Sequence, residues 1–195
     1  MYNGLNMIRR ISSWLVLLML VSTGAWAQVG LPEGATQGAP VLKTTHIYKD
    51  TLALDYYTIK TRKSIETGDT VRNPLVVLVH GGGFYGGRRD GVGEEKFSRE
   101  MAQKGFDVAS ISYRLTRKAS GFGCDCPARD KITTFLNATE DLMAAIDFLE
   151  GNPGFEFDRE HIFILGSSAG AETVLTAAYM TGHYEFKSIE PRKFA

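Results

Sequence analysis

Three short apolar runs divide the chain after residue 74. They cover residues 75–79, 106–112 and 161–165. The first is continuously apolar and largely β-branched, a pattern typical of a strand that is buried on both faces of a sheet. The other two runs are likewise interpreted as buried strands.

Stretches with helical patterning separate these runs and follow the last of them. Residues 94–104 end at Gly105, residues from about 131 to 150 are closed by Gly151-Asn152-Pro153, and residues 169–180 are rich in Ala. Each ends as helices commonly do or has high helix propensity. Strands that alternate with helices of this length predict a parallel sheet with helices on both faces.

An alternating pattern precedes the first buried run. Residues 44–60 form two alternating runs around Lys49-Asp50, as expected of an antiparallel pair at a sheet edge. The predicted fold class is therefore α/β, with a doubly wound and mostly parallel sheet.

The N-terminus has the three parts of an export signal. Arg9 and Arg10 precede an apolar run at residues 14–21, and Ala25-Trp26-Ala27 follows. The apolar run is much shorter than the roughly 20 residues that cross a bilayer, which disfavours the alternative of a membrane anchor. We therefore expect residues 1–27 to be a cleaved signal peptide of a secreted or periplasmic protein, with no stable membrane span afterwards.

The remaining chain fits one domain. Removing 27 of 195 residues leaves 168, within the range of a single hydrophobic core. Residues 28–43 are rich in Gly, Pro and Ala and are expected to be a flexible lead-in. Residues 44–195 are then the folded domain.

Charge and cysteine content exclude several classes of function. Lys plus Arg and Asp plus Glu are both 22, so there is no basic surplus for nucleic acid phosphates. Arg88-Arg89 is interpreted as a solvated loop rather than an anion site. Cys124 and Cys126 lack the spacing of a metal site and are expected to be structural loop residues, either reduced or oxidised.

The motif Gly166-Ser167-Ser168-Ala169-Gly170 lies between the third apolar run and the Ala-rich stretch. In this context G-x-S-x-G places a serine on a strained strand-to-helix turn, with its Oγ clear of the sheet. The motif therefore predicts Ser168 as a nucleophile. The alternative is a Gly/Ser turn that only caps a helix.

The first apolar run is followed directly by His80-Gly81-Gly82-Gly83-Phe84. Consecutive glycines allow main-chain N–H groups to turn toward an oxyanion without obstruction by side chains. The predicted donors are Gly82 and Gly83, with Ala169 after the nucleophile as the third.

A dinucleotide-binding motif is a rival interpretation of the same glycines. Gly81-x-Gly83-x-x-Gly86 matches G-x-G-x-x-G, which requires an acidic residue at the end of the next strand. That strand ends in Ser112-Tyr113-Arg114, with Asp107 at its start. The nucleotide interpretation is therefore disfavoured.

The sequence resembles the α/β-hydrolases of the HGGG type, which are carboxylesterases and hormone-sensitive-lipase-like esterases. The resemblance covers residues 44–181, the N-terminal portion of such an enzyme, and is carried by LVVLVHGGGF, ISYRL and FEFDREHIFILGSSAG. It implies that His80 orders the oxyanion loop and that Arg114 and Asp158 are structural. The sequence departs from the family pattern at Ala171-Glu172, where another Gly is usual.

The triad acid and histidine are not recognisable. In this fold they follow the serine in the chain, but only 27 residues follow Ser168, and His183 is the one histidine among them. About 20 Å of helix would separate His183 from Ser168 at a rise of 1.5 Å per residue. We therefore expect a truncated and inactive portion of a longer enzyme, because a sheet cut after its central strand leaves a bare edge. The alternative is a degenerate homologue.

The predicted function is hydrolysis of a carboxylic ester by a serine nucleophile, with no metal or cofactor. The resemblance implies esters of short or medium acyl chains, and export makes acyl groups of polysaccharides equally suitable substrates. Two alternatives remain open: a non-catalytic binding module on the same fold, and a serine peptidase or amidase.

Overall fold

The computed structural model describes residues 39–59, 62–63, 70–183, 188–189 and 194. The predicted signal peptide at residues 1–27 lies outside them, as does most of the predicted lead-in. No helix in these ranges is both long and apolar enough to cross a membrane.

Seven strands and three helices are found within the described ranges. In chain order they are β1 (Leu42–Lys49), β2 (Leu52–Thr58), β3 (Arg62–Lys63), β4 (Thr70–Val71), β5 (Pro74–Val79), α1 (Val92–Gln103), β6 (Asp107–Ile111), α2 (Ala128–Gly151), β7 (Asp158–Gly166) and α3 (Ala169–Tyr179). β3 and β4 form a separate antiparallel pair.

The other five strands form one sheet in the order β1-β2-β6-β5-β7. β5 pairs in parallel with both β6 and β7, whereas β2 is antiparallel to both β1 and β6. Four of these five strands therefore run in one direction, and the predicted antiparallel pair lies at the sheet edge. The mostly parallel sheet predicted from the sequence is confirmed.

Helices cover both faces of this sheet, as predicted. Val77 and Val79 of β5 belong to the larger apolar cluster, which includes residues of α2 and α3. Val76 and Leu78 belong to a second cluster with Ala102 of α1. Because side chains alternate across a strand, the continuous apolar run is explained by burial on both sides.

β7 differs from the prediction. It was expected to be buried on both faces, but it is the edge strand of the described sheet, and Leu165 is 43% exposed. Within the described ranges β7 pairs with β5 on one side only. The apolar run therefore identified a strand correctly, but within the described residues that strand is only partly buried.

The element boundaries shift by a few residues. β1 begins at Leu42, two residues before the predicted start of the domain, because Leu42 pairs with Thr58. α2 begins at Ala128, directly after Pro127, which has no N–H to donate within a helix.

A buried carboxylate joins β1 to α2. Asp141 is fully buried and accepts from Lys49 Nζ at 2.8 Å, from Arg114 Nε at 2.8 Å and from the Arg114 backbone N–H at 2.9 Å. Arg114 therefore has the structural role that the resemblance implied.

Candidate active site

Ser168 occupies the sharp turn between β7 and α3. Its φ is 51° and its ψ is −120°, and it directly precedes the first residue of α3. These angles match the first central position of a type II′ turn, which glycine normally fills. Such strain costs about 1–3 kcal/mol and commonly marks a functional residue. Ser168 is exposed to solvent.

The two motif glycines make this turn possible. A Cβ atom on Gly166 would lie 2.3 Å from the carbonyl of Gly170, and one on Gly170 would lie 2.1 Å from the Val79 carbonyl oxygen. Real Cβ atoms do not approach backbone so closely. Any other residue at either position would therefore push α3 away from the end of β5.

The oxyanion loop, defined here as residues 80–90, lies against the serine turn. A Cβ atom on Gly81 would be 3.0 Å from the Ser167 carbonyl oxygen and 3.4 Å from Ser168 Cβ. The Ser167 N–H also donates to the Val79 carbonyl oxygen at 3.4 Å. The structure therefore brings together the two motifs that are separated by more than 80 residues of sequence.

His80 is packed into the base of this loop. Its ring stacks on Tyr113 with 4.5 Å between centroids, and its Nδ1 lies 2.7 Å from the Gly81 carbonyl oxygen, to which it donates. The Tyr113 hydroxyl donates to the His80 carbonyl oxygen at 2.8 Å. Burial lowers the pKa of the His80 imidazole and so favours its neutral form. These contacts suit the ordering role that the resemblance implied.

Tyr113 was not identified from the sequence as a residue of the site, although it lies in the ISYRL segment. The signal in the sequence was a tyrosine that directly follows the predicted strand at residues 106–112. In the structure the carboxyl end of this strand lies beside that of β5. Pairing of the two strands is what brings its hydroxyl to His80, and the sequence alone does not specify that pairing.

Arg89 anchors the other end of the loop, contrary to the interpretation of Arg88-Arg89 as solvated. Arg89 Nε lies 3.2 Å from Oδ1 of the buried Asp55, and Ser110 Oγ donates to the Arg89 carbonyl oxygen at 2.7 Å. The Nε–H does not point at the carboxylate, so the contact is an ion pair rather than a hydrogen bond. Arg88 does remain at the surface, paired with Asp90.

The three predicted donors lie in the oxyanion loop and at the start of α3. Ala169 is the first residue of α3, and Gly82 and Gly83 have positive φ values of 119° and 61°. Among the hydrogen bonds of the described residues, none uses the N–H of Gly82, Gly83 or Ala169 as a donor. These groups are therefore free to donate to a bound molecule.

The structure places the four histidines in different parts of the fold. His46 packs on Phe155, His161 lies 2.7 Å from Asp158, and His80 belongs to the oxyanion loop. His183 follows α3, whose 11 residues span about 16 Å at 1.5 Å each. These side-chain contacts of His46, His80 and His161 are thus to residues other than Ser168.

The cysteines lie outside both motifs in the sequence. Cys124 and Cys126 are free thiols in the segment between β6 and α2. No group of three or more metal-ligating side chains is found among the residues whose structure is described.

The loop geometry also weighs against the dinucleotide interpretation. In that motif a helix opens at the glycines, but here turns occupy residues 82–86 and α1 begins at Val92. Asp107 is the first residue of β6 and therefore lies at the amino ends of the parallel strands, whereas the glycines follow the carboxyl end of β5.

Similarity to solved structures supports the same fold. The structure of esterase Est22 matches with a TM-score of 0.52 and 15% identity over 76% of this chain and 41% of that chain. The hyperthermophilic esterase from the archaeon Pyrobaculum calidifontis matches with a TM-score of 0.51 and 23% identity over 73% of this chain and 40% of that chain. This chain thus spans about two fifths of the length of either structure.

A search of curated proteins gives no significant match. The family model BD-FAE matches residues 64–193, about two thirds of the chain. The resemblance to HGGG-type α/β-hydrolases inferred from the motifs is confirmed by the strand order and by these matches. The chain therefore belongs to the BD-FAE family and has the fold of the α/β-hydrolases.

Proposed function

We propose that the protein is a serine-dependent hydrolase of carboxylic esters. Ser168 Oγ attacks the ester carbonyl carbon and its proton passes to a general base. The alcohol then leaves, and water hydrolyses the acyl-serine to release the acid and regenerate Ser168.

The observation that carries this proposal is the contact between the serine turn and the glycine loop. Ser168 has a strained backbone conformation at the start of α3, and a Cβ atom on Gly81 would lie only 3.4 Å from Ser168 Cβ. A turn that only capped a helix would not need this strain, nor a second glycine-rich segment packed against it.

Backbone donors beside Ser168 support acyl transfer in particular. The N–H groups of Gly82, Gly83 and Ala169 are proposed to hold the oxyanion of the tetrahedral intermediate. Ala169 also lies at the N-terminus of α3, where the helix dipole favours negative charge. Preorganised donors of this kind stabilise the charge only as it develops, which lowers the barrier rather than tightening substrate binding.

The general base is proposed to be a histidine, as in other members of this fold. There the acid and the histidine follow the nucleophile in the chain. The proposed nucleophile and the proposed oxyanion donors are all among the described residues.

The proposed substrates are esters of short or medium acyl chains, or acyl groups on polysaccharides. The names of both matched structures identify esterases, which supports ester hydrolysis over peptide or amide hydrolysis. The predicted signal at residues 1–27 would export the protein to a compartment where acylated polysaccharides are available.

A labelling experiment tests the nucleophile. The protein produced from its complete gene is treated with a fluorophosphonate probe, and its hydrolysis of 4-nitrophenyl acetate is measured. We expect labelling at Ser168 and loss of both labelling and turnover in Ser168→Ala. Ser167→Ala is the matched control, because Ser167 is the exposed neighbour in the same turn.

The outcomes separate the alternatives. Labelling with turnover of an anilide or a peptide but not of esters would indicate an amidase or peptidase. If the protein shows no labelling and no turnover, the proposal is contradicted and a binding module is favoured. If Ser167→Ala lost labelling and turnover to the same extent, the effect of Ser168→Ala would come from disruption of the turn and not from removal of the Ser168 hydroxyl.

A further inference from the structure

Arg117 is held against the oxyanion loop by its backbone and by two aromatic rings. Its N–H donates to the Phe84 carbonyl oxygen at 3.1 Å. Its guanidinium carbon lies 5.3 Å from the centroid of the Tyr85 ring and 5.9 Å from that of Phe122. Both distances are within the range of cation–π contacts, so the guanidinium has a defined position.

The guanidinium has no anionic partner in the described part of the chain. Several partly buried arginines are paired: Arg89 with Asp55, Arg99 with Glu95, and Arg114 with Asp141 and Glu140. Arg117 forms no ion pair there, and its Nε is buried without a hydrogen-bond acceptor. A buried donor without an acceptor is unfavourable and uncommon, and a bound ligand is one physical reason for it to persist.

Arg117 also lies beside Gly83, one of the proposed oxyanion donors. Its Nη2 lies 3.8 Å from the position that a Cβ atom on Gly83 would take, and the corresponding position on Gly81 is 3.4 Å from Ser168 Cβ. Gly81 and Gly83 are two residues apart, a span of at most about 7 Å. Added end to end with the two Cα–Cβ bonds, these distances place Arg117 Nη2 at most about 17 Å from Ser168 Cβ, a span that an elongated ester substrate can bridge.

We propose that Arg117 binds a carboxylate of the substrate, so that the preferred esters are anionic. This inference rests on the proposed ester hydrolysis and specifies its substrate class. A guanidinium presents paired N–H donors that match a carboxylate, and its aromatic neighbours fix its plane. Arg117 is in this role a specificity-determining residue.

Matched ester pairs test the preference in the protein produced from its complete gene. 4-Nitrophenyl hydrogen glutarate is compared with its methyl ester for a charge on the acyl side, and 3-acetoxybenzoate with methyl 3-acetoxybenzoate for a charge on the alcohol side. In at least one pair we expect the anionic ester to have a kcat/KM about 10-fold higher or more, as suits a charge-assisted contact.

Variants assign the preference to Arg117. Arg117→Gln is expected to raise KM for the preferred anionic ester by about 10-fold or more, and to change its neutral counterpart by less than about 3-fold. Arg117→Lys should retain part of the preference, because it keeps the charge but not the planar pair of donors. Arg129→Gln is the control for net charge, since Arg129 is exposed on α2.

The proposal is overturned if the wild-type protein has equal activity on both members of both ester pairs. It is also overturned if Arg117→Gln loses activity on the anionic and the neutral esters to the same extent. If the protein neither labels at Ser168 nor hydrolyses any ester, the proposed hydrolysis fails. The anion site is then judged by calorimetry with monomethyl glutarate and dimethyl glutarate on Ser168→Ala. Tighter binding of monomethyl glutarate that disappears when Arg117→Gln is added would still support it, and equal binding of the two would overturn it.

Discussion

Arg89, in the oxyanion loop, forms an ion pair with Asp55 in β2, with 3.2 Å between Nε and Oδ1. Asp55 is only 1% exposed, and it also lies 3.2 Å from Lys43 Nζ and accepts from Thr45 Oγ1 at 2.7 Å. The loop beside the serine turn is thus attached to the second strand of the sheet, on the far side of β6.

We expect Asp55→Ala to destabilise the protein by about 3 kcal/mol, because it leaves the partly buried Arg89 without a carboxylate and Lys43 with Glu95 alone. The free energy of unfolding in urea measures this. Asp90→Ala is the control: Asp90 pairs with Arg88 at the surface of the same loop, where such pairs contribute little. Equal stability of the two variants would show that Asp55 does not anchor the loop.

Gly82 and Gly86 give a second matched comparison within the oxyanion loop. A Cβ atom on Gly82 would lie 2.1 Å from the Gly86 carbonyl oxygen, and the φ of Gly82 is 119°, whereas a Cβ on Gly86 would have no heavy atom within 4 Å. Gly82→Ala must therefore change the loop backbone that aims the proposed donors.

We expect Gly82→Ala to lower kcat for ester hydrolysis by about 100-fold or more, as loss of an oxyanion donor does. Gly86→Ala should stay close to wild type. Circular dichroism of both variants establishes that they are folded. If Gly82→Ala instead retained kcat, Gly82 would not belong to the oxyanion site.

Asp107 predicts a pH dependence of stability. It is buried at the start of β6 and accepts from Tyr56 Oη at 2.5 Å, from Thr58 Oγ1 at 2.7 Å and from Asn73 Nδ2 at 3.0 Å. Burial raises the pKa of the Asp107 carboxyl above its ordinary value, and the three hydrogen bonds oppose this only in part.

Because its pKa is raised in the folded state, the protonated form of Asp107 is favoured by folding. Its contribution is fully present below the unfolded pKa, near pH 4, and is lost as pH rises through the folded pKa. The slope for one proton is at most about 1.4 kcal/mol per pH unit. Urea unfolding between pH 4 and pH 7 should show this loss in the wild type relative to Asp107→Asn, and parallel curves would contradict it.

Processing at the N-terminus remains a prediction from the sequence. The order of Arg9-Arg10, an apolar run and Ala25-Trp26-Ala27 predicts cleavage between Ala27 and Gln28. Mass spectrometry of the exported protein should find a mature N-terminus at or near Gln28. Recovery of the uncleaved protein in the membrane fraction would favour an anchor instead.

The sequence by itself determined the alternation of strands and helices and the position of the serine turn. These features depend on local constraints: apolar runs that suit burial in a sheet, glycines that permit close backbone approach at Gly166 and Gly170, and Ala-rich helix propensity after Ser168. The oxyanion loop was recognised for the same reason, since consecutive glycines after a buried strand are a local signal.

Only the tertiary structure decided which of these elements meet. Strand order places β7 at the edge of the described sheet and β5 between β6 and β7, although the two apolar runs resemble each other. It also brings Arg89 to Asp55, Tyr113 to His80 and Arg117 to Gly83. The periodicity of a segment shows whether it has apolar faces, but it does not specify which segment packs against them. Pairing and packing between distant segments are set by the whole fold.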